Sequence, residues 1–294
     1  MKNIKLILIV VLFSATMFAQ ETTPNFLSYK YNMNMLNPAY AGVDGKQEVN
    51  LGFRKESLGL QDDPVTQFLS YSRGLNKNLG IGLSVINDKT FINKETNIAV
   101  DVSYKLQLNE TTDFYFGMKA GGSMYTIDFA SLGVNDPIYG ANVSTFNPMV
   151  GVGAHLEGER YYFDVSVPNV LLSDVQKPVL DDMGEYTESV TEKLHLYLGT
   201  GYRFSISENF DITPSVFTRI VSDQDALIDL SATADISKIV EAGVTYRVGT
   251  SFIGSVLLKI IDNTQFGYAY ESVTSDFSTI STGTHEFILR FSFD

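Results

Sequence analysis

The chain has 294 residues, with 21 basic against 34 acidic side chains, a net charge of −13, and neither cysteine nor tryptophan. The acidic balance grows once Lys2 and Lys5 leave with a signal, and it argues against nucleic acid as a partner. Without cysteine there is no disulfide framework and no lipid-anchored N-terminus, so an exported chain of this length needs a large core or closed strand pairing.

In chain order, Lys2 and Lys5 precede the apolar run 6–13, and the small Ala19 precedes Gln20. That pattern predicts a secretory signal over 1–19. Its apolar run is too short to span a bilayer, and no later segment offers the roughly 20 consecutive apolar residues a transmembrane helix needs. Membrane insertion must therefore use strands. Residues 20–46 show no alternation and read as a short helical or turn segment, periplasmic or plugging, ahead of a barrel over 47–294.

From Gln47 onward the sequence predicts fourteen antiparallel strands of about ten residues, the length of a tilted transmembrane strand. They begin near Gln47, Pro64, Leu79, Lys94, Asp113, Phe146, Arg160, Glu192, Phe210, Ala226, Ile239, Ser251, Thr264 and Thr282. In the fourth, Ile98, Val100, Val102, Tyr104 and Leu106 oppose Ala99, Asp101, Ser103 and Lys105; in the eighth, Leu194, Leu196 and Leu198 oppose His195 and Tyr197. The apolar sets should face lipid. On that reading an Arg at Val102 or Leu196 costs about 2–4 kcal/mol near the midplane, and one at lumenal Ser103 costs less.

Links after even strands are short, and most links after odd strands are longer, Asp88 to Asn93 among them. This is the asymmetry of an outer-membrane barrel, with tight periplasmic turns and longer loops outside. Pro214 lacks a ladder donor and predicts a bulge. In the last strand Phe287, Leu289, Phe291 and Phe293 share one face, against Glu286, Ile288, Arg290 and Ser292. An open edge in hydrocarbon leaves backbone groups unpaired, so this strand should close the barrel on the first. Fourteen strands ~4.8 Å apart and tilted ~40° enclose an interior roughly 15 Å wide, which side chains of the wall cannot fill. A plug is then expected, and 26–42 is the candidate. It carries Phe26, Tyr29, Tyr31, Met33, Met35 and Leu36 with no membrane-spanning pattern, and Pro38 with Gly42 can turn the chain back into the first strand.

Three histidines, His155, His195 and His285, sit on different strands without ligand spacing, so neither a catalytic nor a metal site is assigned, and no cofactor. His155 and His195 should face the lumen. The acids Asp174, Asp181, Asp182, Glu185 and Glu188 fit a solvated outer loop better than a calcium site. Asp101, Lys105, Lys119, Arg203, Arg219, Arg247, Lys259 and Arg290 should line the lumen, as a charge network holding a plug rather than a selective channel lining.

The string Asn37-Pro38-Ala39-Tyr40-Ala41-Gly42 reads either as a plain turn or as a docking element. Together with the aromatic run before it, Ser84-Val-Ile-Asn-Asp-Lys89, Ser166-Val-Pro-Asn169 and the closing 284–293, it resembles the PorP/SprF family of Bacteroidetes outer-membrane proteins. The resemblance implies a non-enzymatic barrel of the type IX secretion system and gliding machinery. Implied partners are outer-membrane lipids, translocon or periplasmic ring components, and an adhesin-type cargo with a C-terminal secretion domain. A small-solute or fatty-acid-type transporter barrel is the alternative.

Overall fold

The computed structural model describes residues 25–57, 59, 63–129, 142–171, 174–181, 184–191, 193–222, 224–274 and 283–293. The expected signal at 1–19 lies outside them, as does Asp182.

Seventeen strand segments follow in order: β1 (Gln47–Ser57), β2 (Val65–Gly74), β3 (Leu79–Thr90), β4 (Asn93–Asn109), β5 (Thr112–Ile127), β6 (Val143–Glu157), β7 (Tyr161–Val167), β8 (Asp174–Asp181), β9 (Gly184–Thr191), β10 (His195–Tyr202), β11 (Phe204–Ser207), β12 (Phe210–Val221), β13 (Leu227–Ile236), β14 (Val240–Arg247), β15 (Ser251–Ile261), β16 (Thr264–Val273) and β17 (Gly283–Phe293). β10 and β11 form one stave, since both pair with β12. β8 and β9 make a separate hairpin in the link between β7 and β10, and carry Asp174, Asp181, Glu185 and Glu188. The remaining segments form a closed antiparallel barrel of 14 staves. Closure is made by β1 on β17, in a regular register from Gln47↔Phe293 to Ser57↔Gly283. No backbone edge is then left in hydrocarbon.

The period-2 pattern decides the faces. Ile98, Val100, Val102, Tyr104 and Leu106 are exposed to the outside, while Ala99, Asp101 and Ser103 are buried within. Leu198, Phe287 and Phe293 also face out, with Leu196, Leu289 and Phe291 half-exposed on the same parity. Tyr161, Phe163, Tyr202 and Phe204 cluster outward at one end, and Tyr246 with Phe252 at the other. Tyr and Phe thus supply both interface girdles in a chain without Trp.

One end of the barrel carries the links 75–78, 110–111, 158–160, 208–209, 237–239 and 262–263; the other carries 58–64, 128–142, 168–194 and 274–282. The first end is therefore periplasmic. Two expectations are corrected. The link expected from Asp88 to Asn93 contracts to 91–92, because β3 and β4 pair as far as Thr90↔Asn93 and Phe91 takes a left-handed backbone (φ 56). Pro214 makes no bulge. Its register with Ala232 on β13 is continuous, and the ladder to the preceding stave lapses opposite it, between Gly201↔Ser215 and Phe204↔Ile212. A residue without an N–H weakens a ladder by one bond without needing an extra residue. The register shift instead falls at Ser205/Ser207, next to the tight turn.

Candidate functional site: the lumenal segment and its cradle

Residues 25–45 lie inside the barrel. The segment is a chain of short turns: Tyr29–Tyr31, one helical turn Met33–Leu36, then Pro38–Tyr40 and Val43–Gly45. Asn37 is extended (φ −134°, ψ 108°), as the residue before a proline prefers, and its side-chain oxygen accepts the Ala39 N–H at 3.0 Å. Gly42 ends the string in the left-handed region at φ 71°, and a Cβ there would meet the Arg73 carbonyl and Gly80 at 2.7 Å. Both features require the residue found.

Apolar packing explains why the segment stays. Phe26, Met33, Met35 and Leu36 form one buried cluster with the inward-facing Phe68, Tyr197 and Phe217, while Leu27 joins Ile253 and Ala269. Tyr29 stacks on Phe217 with ring centroids 4.4 Å apart, and Phe26 meets Phe68 edge-on at 5.1 Å. Each such side chain contributes about 1.5–3 kcal/mol when fully buried. An alternating strand of this barrel type ordinarily turns polar residues inward. The inward Phe68, Tyr197, Phe217 and Ile253 are the departure, and the segment is what they cover.

Wall polar groups answer the segment's backbone. The Glu286 carboxylate accepts the Leu27 and Ser28 N–H groups, each at 2.8 Å. Ser166 donates to the Leu36 carbonyl (2.9 Å), Lys119 to that of Asn34 (3.1 Å), Asn50 to that of Tyr31 (3.1 Å), and Ser103 to that of Ala41. The Gly42 N–H is held by Ser72 Oγ at 2.7 Å. Buried backbone groups outside regular structure need such partners, and the barrel supplies seven of them beside the bonds within the segment's own turns.

The string 37–42 seats on three wall glycines that face inward on β3, β5 and β6. A Cβ at Gly117 would stand 2.2 Å from Ala39 N and the Pro38 carbonyl carbon, one at Gly80 1.9 Å from the Ala41 oxygen, and one at Gly153 2.0 Å from Asn37 Oδ1. Asn37 Nδ2 also donates to the Ala154 carbonyl at 3.0 Å. Tyr40 donates to Asp164 Oδ2 at 2.9 Å and lies on His155, whose Nδ1 bonds Asp164 Oδ1 at 2.7 Å.

Residues 18–291 match the family described as "Type IX secretion system membrane protein PorP/SprF". The chain belongs to the PorP/SprF family. It is an outer-membrane protein of the type IX secretion system. No curated protein matches its sequence. Among solved structures, the PorP/SprF barrel is similar to the CymD monoaromatic hydrocarbon channel (11% identity, TM-score 0.53, covering 88% of this chain and 92% of that one). It is likewise similar to the toluene transporter TbuX of Ralstonia pickettii (8% identity, TM-score 0.52, again 88% and 92%). At these identities the likeness concerns the fold.

The structure brings Phe26, Tyr29, Tyr31, Met33, Leu36, Asn37, Pro38, Tyr40 and Gly42 of the PorP/SprF chain together in the lumen, on the wall contacts above. Phe287, Leu289, Phe291 and Phe293 lie apart from them on the outer face of β17. Lumenal charges are paired along the length of the barrel. Asp101 and Lys119 meet at 2.7 Å under the segment. Arg247 bridges Asp229 (2.8 Å) and Glu271 (2.8 Å) near the outer end. Arg290 pairs with Glu48 and Lys105 with Asp113 toward the periplasm, while Lys259 meets the exposed Asp262 in a turn. Of the histidines, His155 is buried in the lumen and His285 faces outward against Tyr268 and Tyr270. His195 shares the inward parity of Tyr197.

Sequence reasoning passed over Glu286, Asp164, Gly80, Gly117 and Gly153. The glycines left a readable signal: each falls at an inward position of an alternating strand, where a barrel whose lumen needs filling would otherwise carry a larger side chain.

Proposed function

We propose that this barrel partners the export and cell-surface attachment of a large adhesin-type cargo through the cargo's C-terminal secretion domain, within the gliding and adhesion machinery. It acts there as a non-enzymatic component. Family membership supports the setting, and one structural observation carries the reading: the lumen is occupied by the chain's own segment, seated backbone-to-backbone on wall glycines. A barrel filled in this way suits a partner protein better than a free solute pore. On this reading residues 1–19 are the signal, 20–46 the plug, and 47–294 the membrane barrel, whose last strand closes through the face bearing Phe287 to Phe293. Its further partners are outer-membrane lipids and translocon or periplasmic ring components.

Copurification from native membranes tests the proposal. A giant surface protein or translocon subunits should accompany the barrel, and a variant lacking 26–36 should either conduct ions or lose that partner. Isolation as a clean monomer with measurable small-solute flux would favour a transporter and overturn it.

A further inference from the structure

The direction in which the segment crosses the lumen has a topological consequence. Its C-terminal end is periplasmic: Gly42 is bonded to Ser72, Gly45 lies against Gly74, and both wall residues border the short turn 75–78. Its N-terminal end is not. Leu27 and Ser28 hang on Glu286, three residues from the outer start of β17 and paired with Arg54 near the outer end of β1. Asn25 and Phe26 border a small cavity with Arg219, Leu227, Asp229 and Arg247, which are at or near the outer ends of β12, β13 and β14. The chain therefore crosses the barrel from its outer end to its periplasmic end before β1 starts the wall and runs outward again.

We propose that the protein threads its own barrel from the outer end, so that the end of the segment at Asn25 opens to the cell surface. Asn25 and Phe26 stand at the level of Leu227 and Arg247, the outer ends of β13 and β14. Beneath Asn25 the way back is closed by the chain's own apolar seal, Phe26 and Tyr29 on Phe217 and Tyr197, and Leu27 on Ile253. The plug is then a strut with one end open to a partner outside the cell and the other, at Gly42 to Lys46, open to a partner in the periplasm. A second copy of the chain is not needed to link the two sides.

The absence of cysteine makes the test direct. Thr22→Cys and, separately, Thr23→Cys are treated on intact cells with a bulky, membrane-impermeant maleimide. Asp225→Cys, in the outer link 222–226, and Lys77→Cys, in the short turn 75–78, mark the two sides. All variants are first required to show the heat-modifiable gel shift of a folded barrel. The expected result is labelling of Thr22→Cys or Thr23→Cys at a rate near that of Asp225→Cys and at least tenfold above Lys77→Cys. Labelling of both only after the outer membrane is permeabilised, or no labelling at all, would overturn the proposal. Either outcome leaves the cargo reading to be judged separately by copurification.

Discussion

Staves β3 to β7 grip the lumenal segment, whereas β12 to β15 stand off from most of it. On the gripping side the inward positions are Gly80, Ser103, Gly117, Lys119, Gly153, Asp164 and Ser166, and every one touches or bonds residues 34–42. On the other side the inward positions include Ser215, Ser231, Thr233, Thr245 and Ser255, which line a cavity of about 290 Å3 between wall and segment. The segment meets that wall at its outer end through Leu27 and Tyr29, and below it through Lys30 and Tyr31, which share Glu241 at 2.6 Å. The same staves are also small on their lipid face. Pro214, Ala232 and Gly254, among Val216, Leu230, Val244 and Phe252, line an apolar depression of about 970 Å3 there. Half of the wall is shaped to hold the lumenal segment, and the other half leaves it polar room.

The largest expected effect falls on the gripping side and is electrostatic. Lys119→Met leaves Asp101 buried without its cation and removes the bond to Asn34, which should cost about 3–5 kcal/mol. Adding Asp101→Leu should recover much of that loss in a urea titration of the barrel in lipid vesicles. If the single variant unfolds at the wild-type midpoint, the pair carries none of the grip.

Next comes the contrast of lipid and lumen. Val102→Arg should cost about 2–4 kcal/mol at the bilayer midplane. The lumenal control has to be chosen from the open half. Ser103 does face inward, but it is buried and bonded to Ala41, so an Arg there would displace the segment as well as sit in the lumen. Thr245→Arg, facing the polar cavity, should cost clearly less than Val102→Arg. Equal midpoints for the two would contradict the facing.

Gly117→Val should cost about 1–3 kcal/mol by overpacking, and the segment is the part free to yield. Planar-bilayer recordings should accordingly show open-channel events in Gly117→Val that the parent lacks. A silent, fully stable variant would mean that the cradle is loose.

At the bottom of the scale, Ser231→Ala on the open side removes one half-buried hydroxyl bond, to Thr245, and should cost about 0.5–1 kcal/mol. A loss several times larger would show that the cavity wall is held by contacts comparable to those of the grip.

The sequence by itself determined the wall. A period of two along each strand, with Val100 and Val102 opposing Asp101 and Ser103, is a local property, and so are tight turns such as 237–239, where Ser237 and Lys238 both take positive φ. Strand starts fell within three residues of those read from the sequence, because each is marked by its own alternation and its own turn. Strand number also set a lumen wider than the wall's own side chains fill, since diameter scales with it. What the tertiary structure decided was where the lumenal segment lies and which way it runs. Gly117 and Pro38 are far apart in the chain, and an inward glycine in an alternating strand marks room for something without naming the backbone that will lie on it. Nor does the string 37–42 state its direction of travel, which is set by Glu286 holding Leu27 and Ser28 from the other end of the chain. Such contacts join segments whose local conformations are independent of each other, so their pairing is settled only when the barrel closes around them.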